Sequence, residues 1–367
     1  MEDCGIKPVF LGTYFVFVCS LIPIGFAENF ATLVVVRFFS GGCVQLLSNA
    51  VAGVISNVFR DDRERSVPIS LYITTYLVST SMGPVIGSTI LQYLDWRWIG
   101  HIELIWTAAF FPLHIPSSRK SRIGYFTFQS EIITERRKRA YTAEEFQKKP
   151  IHQILIRSVQ RPLYMLFTES VVFIATLWAA FRLGTIYLFT QSVEQVYSQI
   201  YDWNSLQAGY VQLAIAIGEC IGCALCMYTN SWYYDSAARN TEVPGTPIPE
   251  ARLYPSVIGG FLGVTGGVFL YGWTSISTMH WIIPTLGLSL GCGTSAIIIS
   301  NANYLVDAYS KYAASALGVV GLVENVALAF IPLASSSMYT DLKFQWASSL
   351  LAFLSLALVV TPFAVFI

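Results

Sequence analysis

The sequence predicts an all-α, polytopic membrane protein of about ten transmembrane helices, and three observations carry the prediction. Hydrophobic residues make up 54% of the 367 and charged residues only 12%, about half the share found in a soluble globular domain; mean hydropathy is +0.56. The apolar residues are gathered into stretches of about 20, the length that a helix rising about 1.5 Å per residue needs to cross a hydrocarbon core of about 30 Å. Half of the 22 lysines and arginines fall in one hydrophilic stretch, from Arg119 to Arg161, which the positive-inside bias places in the cytoplasm. A net charge of zero argues against a nucleic-acid partner.

Four spans precede that stretch. The first, about 8–27, follows Met1-Glu2-Asp3-Cys4; with no basic leader and no small-residue cleavage site, it reads as a retained helix rather than a signal peptide. The second, 31–57, keeps Arg37 inside the apolar run from Leu33 to Phe39. A cation at bilayer depth costs a few kcal/mol or more and is kept where it faces a protein interior or a water-filled cavity. There it can tune when a neighbouring carboxylate releases its proton, or it can simply bond helix-end carbonyls. The third span, 66–93, is interrupted by Gly83-Pro84, with Gly87 one turn on. The proline removes a backbone hydrogen bond and bends the helix, and small residues let a neighbouring helix approach. The fourth span is 97–115.

Six spans follow, at about 162–190, 205–228, 254–273, 279–303, 312–337 and 344–367. Glu169 opens the fifth, which also carries Arg182. Glu219 lies in the sixth, beside Cys220, Cys223 and Cys226; three thiols on one apolar helix cannot converge with a fourth ligand, so they read as packing residues rather than a metal site. Gly259, Gly260, Gly263, Gly266 and Gly267 give the seventh two G-x-x-x-G spacings, a helix-packing pattern. Glu324 falls near the middle of the ninth, whereas Glu169 and Glu219 lie nearer the cytoplasmic half. Desolvation disfavours a carboxylate's charged form, so these three are the candidate proton carriers; the alternative is that they pair with Arg182 or face the interface. Trp178, Tyr187, Trp203, Trp232 and Trp281 read as belt or core residues.

The expected organisation is a four-span half-bundle over 1–115, a basic cytoplasmic loop over 116–161 and a six-span bundle over 162–367. Both termini, Arg60–Arg65, Arg239, Arg252 and Lys311 then fall inside; the outer loops 191–204 and 274–278 carry no Lys or Arg, and Arg97 and Lys343 are exceptions. No phosphate-binding loop is present, so ATP is not expected as an energy source, and no H-E-x-x-H or paired histidine spacing suggests an enzyme or a cofactor.

Several stretches together resemble the major facilitator superfamily, specifically fungal drug:proton antiporters of twelve spans. Arg37-Phe38-Phe39-Ser40-Gly41-Gly42 resembles the R-F-x-x-G motif of the family's fourth span. Ser79 to Ser88 resembles its antiporter motif G-x-x-x-G-P-x-x-G-G, with serines in place of the outer glycines, and Trp96-Arg97-Trp98 resembles the W-R-W that opens the sixth span. Arg161-Pro162, Pro249-Glu250-Ala251-Arg252-Leu253, the stretch Asn303 to Tyr309, and Ala313-Ala314-Ser315-Ala316 are similar to second-half motifs. Pro116-Ser117-Ser118-Arg119 replaces the family's acidic P-E-T segment, Glu324 stands where many relatives have an arginine, and Arg182 and Glu219 are atypical.

The resemblance implies that the four-and-six partition lacks two N-terminal spans, with Gly5-Ile6-Lys7-Pro8-Val9 similar to the end of the loop before family span three. It implies a role in proton transfer for Arg37, and in antiport and cavity sealing for Gly83, Pro84 and Gly87. It also implies proton-coupled export of a hydrophobic small molecule, a drug, toxin or secondary metabolite, across the cell membrane by alternating access. Polyamine or other small-metabolite transport on the same fold, and a truncated non-transporting membrane protein, are the alternatives.

Overall fold

A computed structural model describes residues 6–59, 62–112, 151–240, 245–288, 291–309 and 312–360. Most of the basic central stretch, Lys311 and the end of the last span lie outside them. The described residues contain no strand, as a chain in hydrocarbon requires when each segment must satisfy its own backbone groups.

The chain divides into two compact units, Met1–Asp61 with Ile90–Ile154, and Asp62–Thr89 with Leu155–Ile367. The first contains α1 (Ile6–Gly25) and α2 (Phe30–Val58), and it takes the last turn of α3 (Asp62–Tyr93) and α4, residues 97–112. Phe17, Leu21 and Ile24 of α1 pack against Val36, Cys43 and Leu47 of α2 and Leu104 of α4. The Tyr14 hydroxyl donates to the Thr107 carbonyl at 2.9 Å, which fixes α4 against α1. Gly100 lets α4 come close to Gly25, where an added Cβ would lie 3.1 Å from the Gly25 nitrogen.

The second unit takes the rest of α3 and continues, from Leu155 onward, through α5 (Ile151–Thr168), α6 (Ser170–Tyr201), α7 (Ser205–Val211) and α8 (Leu213–Asp235). Asn204 starts α7 with a reciprocal cap, accepting from the Gln207 amide at 2.9 Å while its own N–H donates to the Gln207 side chain. That pair satisfies two of the orphan donors at a helix start. A rod formed by α9 (Tyr254–Ile258), a π-helical stretch (Gly259–Gly266) and α10 (Gly267–Thr274) follows. The last elements are α11 (Ile282–Gly287), α12 (Gly291–Tyr309), α13 (Ala313–Phe330) and α14 (Ser335–Val359).

Eight of the described helical segments are long and apolar enough to cross a bilayer, and the shorter apolar helix Phe10–Gly25 and helix 97–112 fill the two remaining places predicted. Several spans run past their expected ends: the fifth is extended backwards by α5, with Glu169 in an extended conformation at the junction, and forwards by α6 to Tyr201, so that most of the expected outer loop 191–204 is helix; the sixth runs on to Asp235, the eighth to Tyr309, and the last begins at Ser335. Large apolar side chains point outward, as on α13, where Leu322, Val326 and Phe330 are exposed.

Because lipid is as apolar as leucine, helices in a membrane gain cohesion from close packing more than from burial. Glycines supply that closeness in the second unit. A Cβ on Gly293 of α12 would run into the Gly259 carbonyl and lie 2.7 Å from the Val264 nitrogen. One on Gly222 of α8 would strike Ser295 and the Cys292 carbonyl. The core between them holds Trp178, Phe189, Tyr197, Val264, Tyr271 and Ile297.

Candidate functional site

Between residues 162 and 238 the chain has a single basic residue, Arg182, and the fold encloses it. Its side chain is 1% exposed, and one terminal nitrogen donates to the Thr294 carbonyl of α12, while Nε and the other terminal nitrogen have no hydrogen-bond partner. Two carboxylates, Glu219 of α8 and Glu324 of α13, lie within its electrostatic reach. Glu219 is 1% exposed and accepts from the Ser81 hydroxyl of α3, 3.0 Å from each carboxylate oxygen. Glu324 is half-buried. Ser81, Arg182, Glu219, Thr294 and Glu324 each lie within about one helical turn of the middle of their spans. Five helices therefore bring their polar groups to one depth, where water is scarce and charges interact strongly. Tyr76 of α3 and Tyr187 of α6 border the group, Tyr76 within reach of Glu324 and Tyr187 beside Thr80 and within reach of Glu219.

The structure places the other sequence candidates as follows. Arg37 pairs with Glu103 of α4 at 3.4 Å, with both side chains partly exposed (45% and 33%), so its partner is a side-chain carboxylate. Glu103 escaped the sequence reading; an acidic residue inside the apolar fourth span was the available signal. Glu169 is exposed at the α5–α6 junction and accepts from the Tyr309 hydroxyl at 3.3 Å, away from Arg182. Pro84 lies within α3 and leaves the Thr80 carbonyl without its helical donor. Among the described residues a Cβ at Gly83 or Gly87 meets no atom within 4 Å, and on the same helix Ser88 lies close against Gly209 of α7.

Two distant motif stretches meet at a second cluster. The Arg252 Nε donates to Asp307 at 2.9 Å, and a terminal nitrogen donates to the side-chain oxygens of Asn230, at 2.7 Å, and Ser66, at 3.3 Å. Its guanidinium lies 3.6 Å from the Tyr233 ring centroid, and the Tyr233 hydroxyl completes the set by donating to Asp307 at 3.0 Å. A cavity of about 20 Å³ beside them, whose polar lining includes Ser66, Asn230, Arg252 and Asn303, has room for one water. Cys223 and Cys226 of α8 are buried and donate to the Ser70 and Ala296 carbonyls at 3.9 and 3.8 Å, and Cys226 also lines that cavity. Trp203 and Trp281 pack on each other at a span end with Tyr197 and Tyr201.

A helical bundle whose spans converge on one buried cation and two carboxylates at mid-depth defines a polytopic membrane protein of the transporter class. The motifs' implication holds at the level of family: residues 1–332 match the model of the Major Facilitator Superfamily, and the chain belongs to it. It is 32% identical to "Efflux pump atB" of Aspergillus terreus over 99% of this chain and 77% of that protein. It is also 30% identical to "Citrinin biosynthesis cluster MFS transporter mrr1" of Monascus ruber, over 97% and 71% of the two chains. A third relative, "Major facilitator superfamily multidrug transporter FLU1" of Candida albicans, is 29% identical over 99% of this chain and 60% of its own length. These relatives are membrane transporters and not enzymes.

Proposed function

We propose that the protein exports a hydrophobic small molecule in exchange for protons, by alternating access, at the cell membrane with its termini in the cytoplasm. The observation that carries this reading is the mid-span set of buried Arg182 and Glu219 with half-buried Glu324. One guanidinium can balance one carboxylate; a second carboxylate at that depth carries a charge that the low-dielectric surroundings disfavour. Taking up a proton removes the charge, and releasing it restores the charge, so the set couples its electrostatic state to a proton. Midplane binding between helical bundles is how secondary transporters link such a change to rocking of the fold. The Arg37–Glu103 pair offers a second place where a proton and a cation compete for one carboxylate. Export, rather than import, is favoured by the similarity to an efflux pump and to transporters of biosynthetic clusters.

The test is proton flux in proteoliposomes carrying a trapped pH indicator, with Nile red and a panel of rhodamine dyes as transported probes. Addition of a transported dye is expected to move protons in the wild type. In Glu324→Gln and Glu219→Gln the flux should fall about tenfold or more, the usual size of a lost proton-transfer group. Flux and pH dependence unchanged in Glu324→Gln would remove that residue from the mechanism; no dye-dependent flux in the wild type, over a panel that does bind, would reject proton exchange.

A further inference from the structure

A cavity of about 450 Å³ lies in the second unit where α6, the end of α10 and the first turns of α14 meet. Arg252 and Ser275 stand at opposite ends of the α9–α10 rod, so this cavity is at the end away from the Arg252 cluster, the end predicted to face outward. Its volume is that of a small-molecule site and far exceeds one water. Gln195 in its wall is thirteen residues on from Arg182 in α6, about 20 Å at about 1.5 Å per residue. The cavity is therefore separate from the mid-span set. Gln199 and Lys343 are exposed at its rim, and Ser275 and Tyr339 are buried at its floor.

The lining carries one sign of charge, that of Lys343, and no Asp or Glu. The carboxylates nearest in sequence are engaged elsewhere or apart: Glu194 accepts from the Ser205 hydroxyl at 3.0 Å, and Asp341 makes no ion pair with Lys343 among the described residues. Gln195 and Gln199, one turn apart on α6, and Gln345 add three carboxamides. Among the described residues none of these side chains, nor the Lys343 ammonium, has a hydrogen-bond or ion-pair partner. The Ser275 hydroxyl, by contrast, is committed to the Tyr271 carbonyl at 2.6 Å. The apolar wall is Tyr339 with Phe344, their ring centroids 5.5 Å apart. At the rim the backbone of Lys343 breaks α14, with φ 64° and ψ 159°. That region belongs to glycine, and residues with side chains held in it cluster at ligand sites. A glycine would relieve the strain but leave the cavity without its charge.

We propose that this cavity is a second ligand site, which binds an organic monoanion bearing an aromatic ring: its carboxylate lies on Lys343 and the glutamine amides, and its ring against Phe344 and Tyr339. An ammonium and free amide N–H groups are donors that suit a carboxylate, and the bonds are strengthened by the charge. A cation would meet the ammonium with no carboxylate to offset it. A small inorganic anion would leave both rings and most of the volume unused. The site goes beyond the exporter reading and does not depend on it, because it lies at the mouth of the spans and its occupancy needs no gradient.

The experiment is equilibrium dialysis of the purified full chain in a non-ionic detergent. The probes are 2-naphthoate, 2-naphthylmethylammonium, which has the same ring and the opposite charge, and acetate, which has the charge and no ring. Displaceable naphthoate binding is expected to be about tenfold or more tighter than that of either other probe. Lys343→Gln should weaken naphthoate binding about tenfold, Gln199→Leu should weaken it severalfold, and Lys343→Arg should retain it. Lys343→Gly should raise the thermal unfolding midpoint, by relieving the strained backbone, yet weaken naphthoate as much as Lys343→Gln does; this separates the ammonium's part in binding from any part in folding. Equal or tighter binding of the ammonium or of acetate, no displaceable naphthoate binding by the wild type, or unchanged binding in Lys343→Gln and Lys343→Gly would each overturn the proposal. So would tighter binding of dihexanoylphosphatidylglycerol than of naphthoate, which would assign the cavity to a lipid headgroup. The wild-type comparison decides the sign of the charge even if a variant fails to fold.

Discussion

Arg182 owes its position to company rather than to hydration. Buried at mid-span with one carbonyl contact and two carboxylates in reach, it is stabilised by charges that it in turn stabilises. Removing one member of such a set costs more than the set itself contributes, because an uncompensated charge stays behind. Arg182→Leu is therefore expected to destabilise the protein by about 3–5 kcal/mol, read as a fall in the thermal unfolding midpoint in detergent. Adding Glu219→Gln to that variant removes one of the stranded charges and should recover part of the loss; a double variant less stable than Arg182→Leu would show that Glu219 is held by Ser81 alone. The arginine and both glutamates were visible in the sequence as ionisable residues inside apolar runs. Which of them stand together was not, since Glu169, an equal candidate by composition, sits at a helix junction on Tyr309.

Helix pairing in this fold depends on where side chains are missing. At Gly293 the backbone of α12 lies so close to Gly259 and Val264 that a methyl group would meet main-chain atoms on both sides. Main chain cannot move aside as the end of a flexible side chain can, so overpacking there is costly. Gly293→Ala is expected to lose about 1–3 kcal/mol of stability. By contrast, Gly266→Ala, whose added carbon would lie 3.6 Å from the Phe261 carbonyl, an ordinary contact, should stay within about 0.5 kcal/mol. Thermal unfolding of the two variants side by side checks this; because helix propensity alone favours alanine, equal destabilisation would mean that close contact at Gly293 does not set the cost. The glycine spacings of the seventh span announced a packing face, and Gly259 and Gly263 do meet Gly293. At Gly83 and Gly87 an added Cβ would meet no atom within 4 Å among the described residues.

Taken as a whole, the chain is a set of apolar helices with its basic residues gathered at one predicted side, and that asymmetry makes a prediction about orientation. In a variant without its seven native cysteines, Ser277→Cys should react with an impermeant thiol reagent in intact cells, and Asn240→Cys only after permeabilisation. The opposite pattern would invert the topology and with it the placing of the Arg252–Asp307 cluster on the cytoplasmic side. That cluster ties α3, α8, the segment before α9 and α12 at one end of the second unit, while the Arg182 set ties α3, α6, α8, α12 and α13 at their middles.

Much of this architecture was legible in the linear chain. Helix number and placement follow from the length of each apolar run, because a backbone in hydrocarbon has no alternative to local hydrogen bonding; family membership follows from motifs whose spacing survives in the residues themselves. Arg37, Glu219 and Glu324 were marked by the cost of placing charge in an apolar segment. Partnership was decided by tertiary structure. Glu103 for Arg37, Ser81 for Glu219 and Asp307 for Arg252 all depend on how each helix is rotated about its axis and how deep it sits. Rotation and depth are set by packing against neighbours far away in sequence, so no local pattern of residues could have specified them.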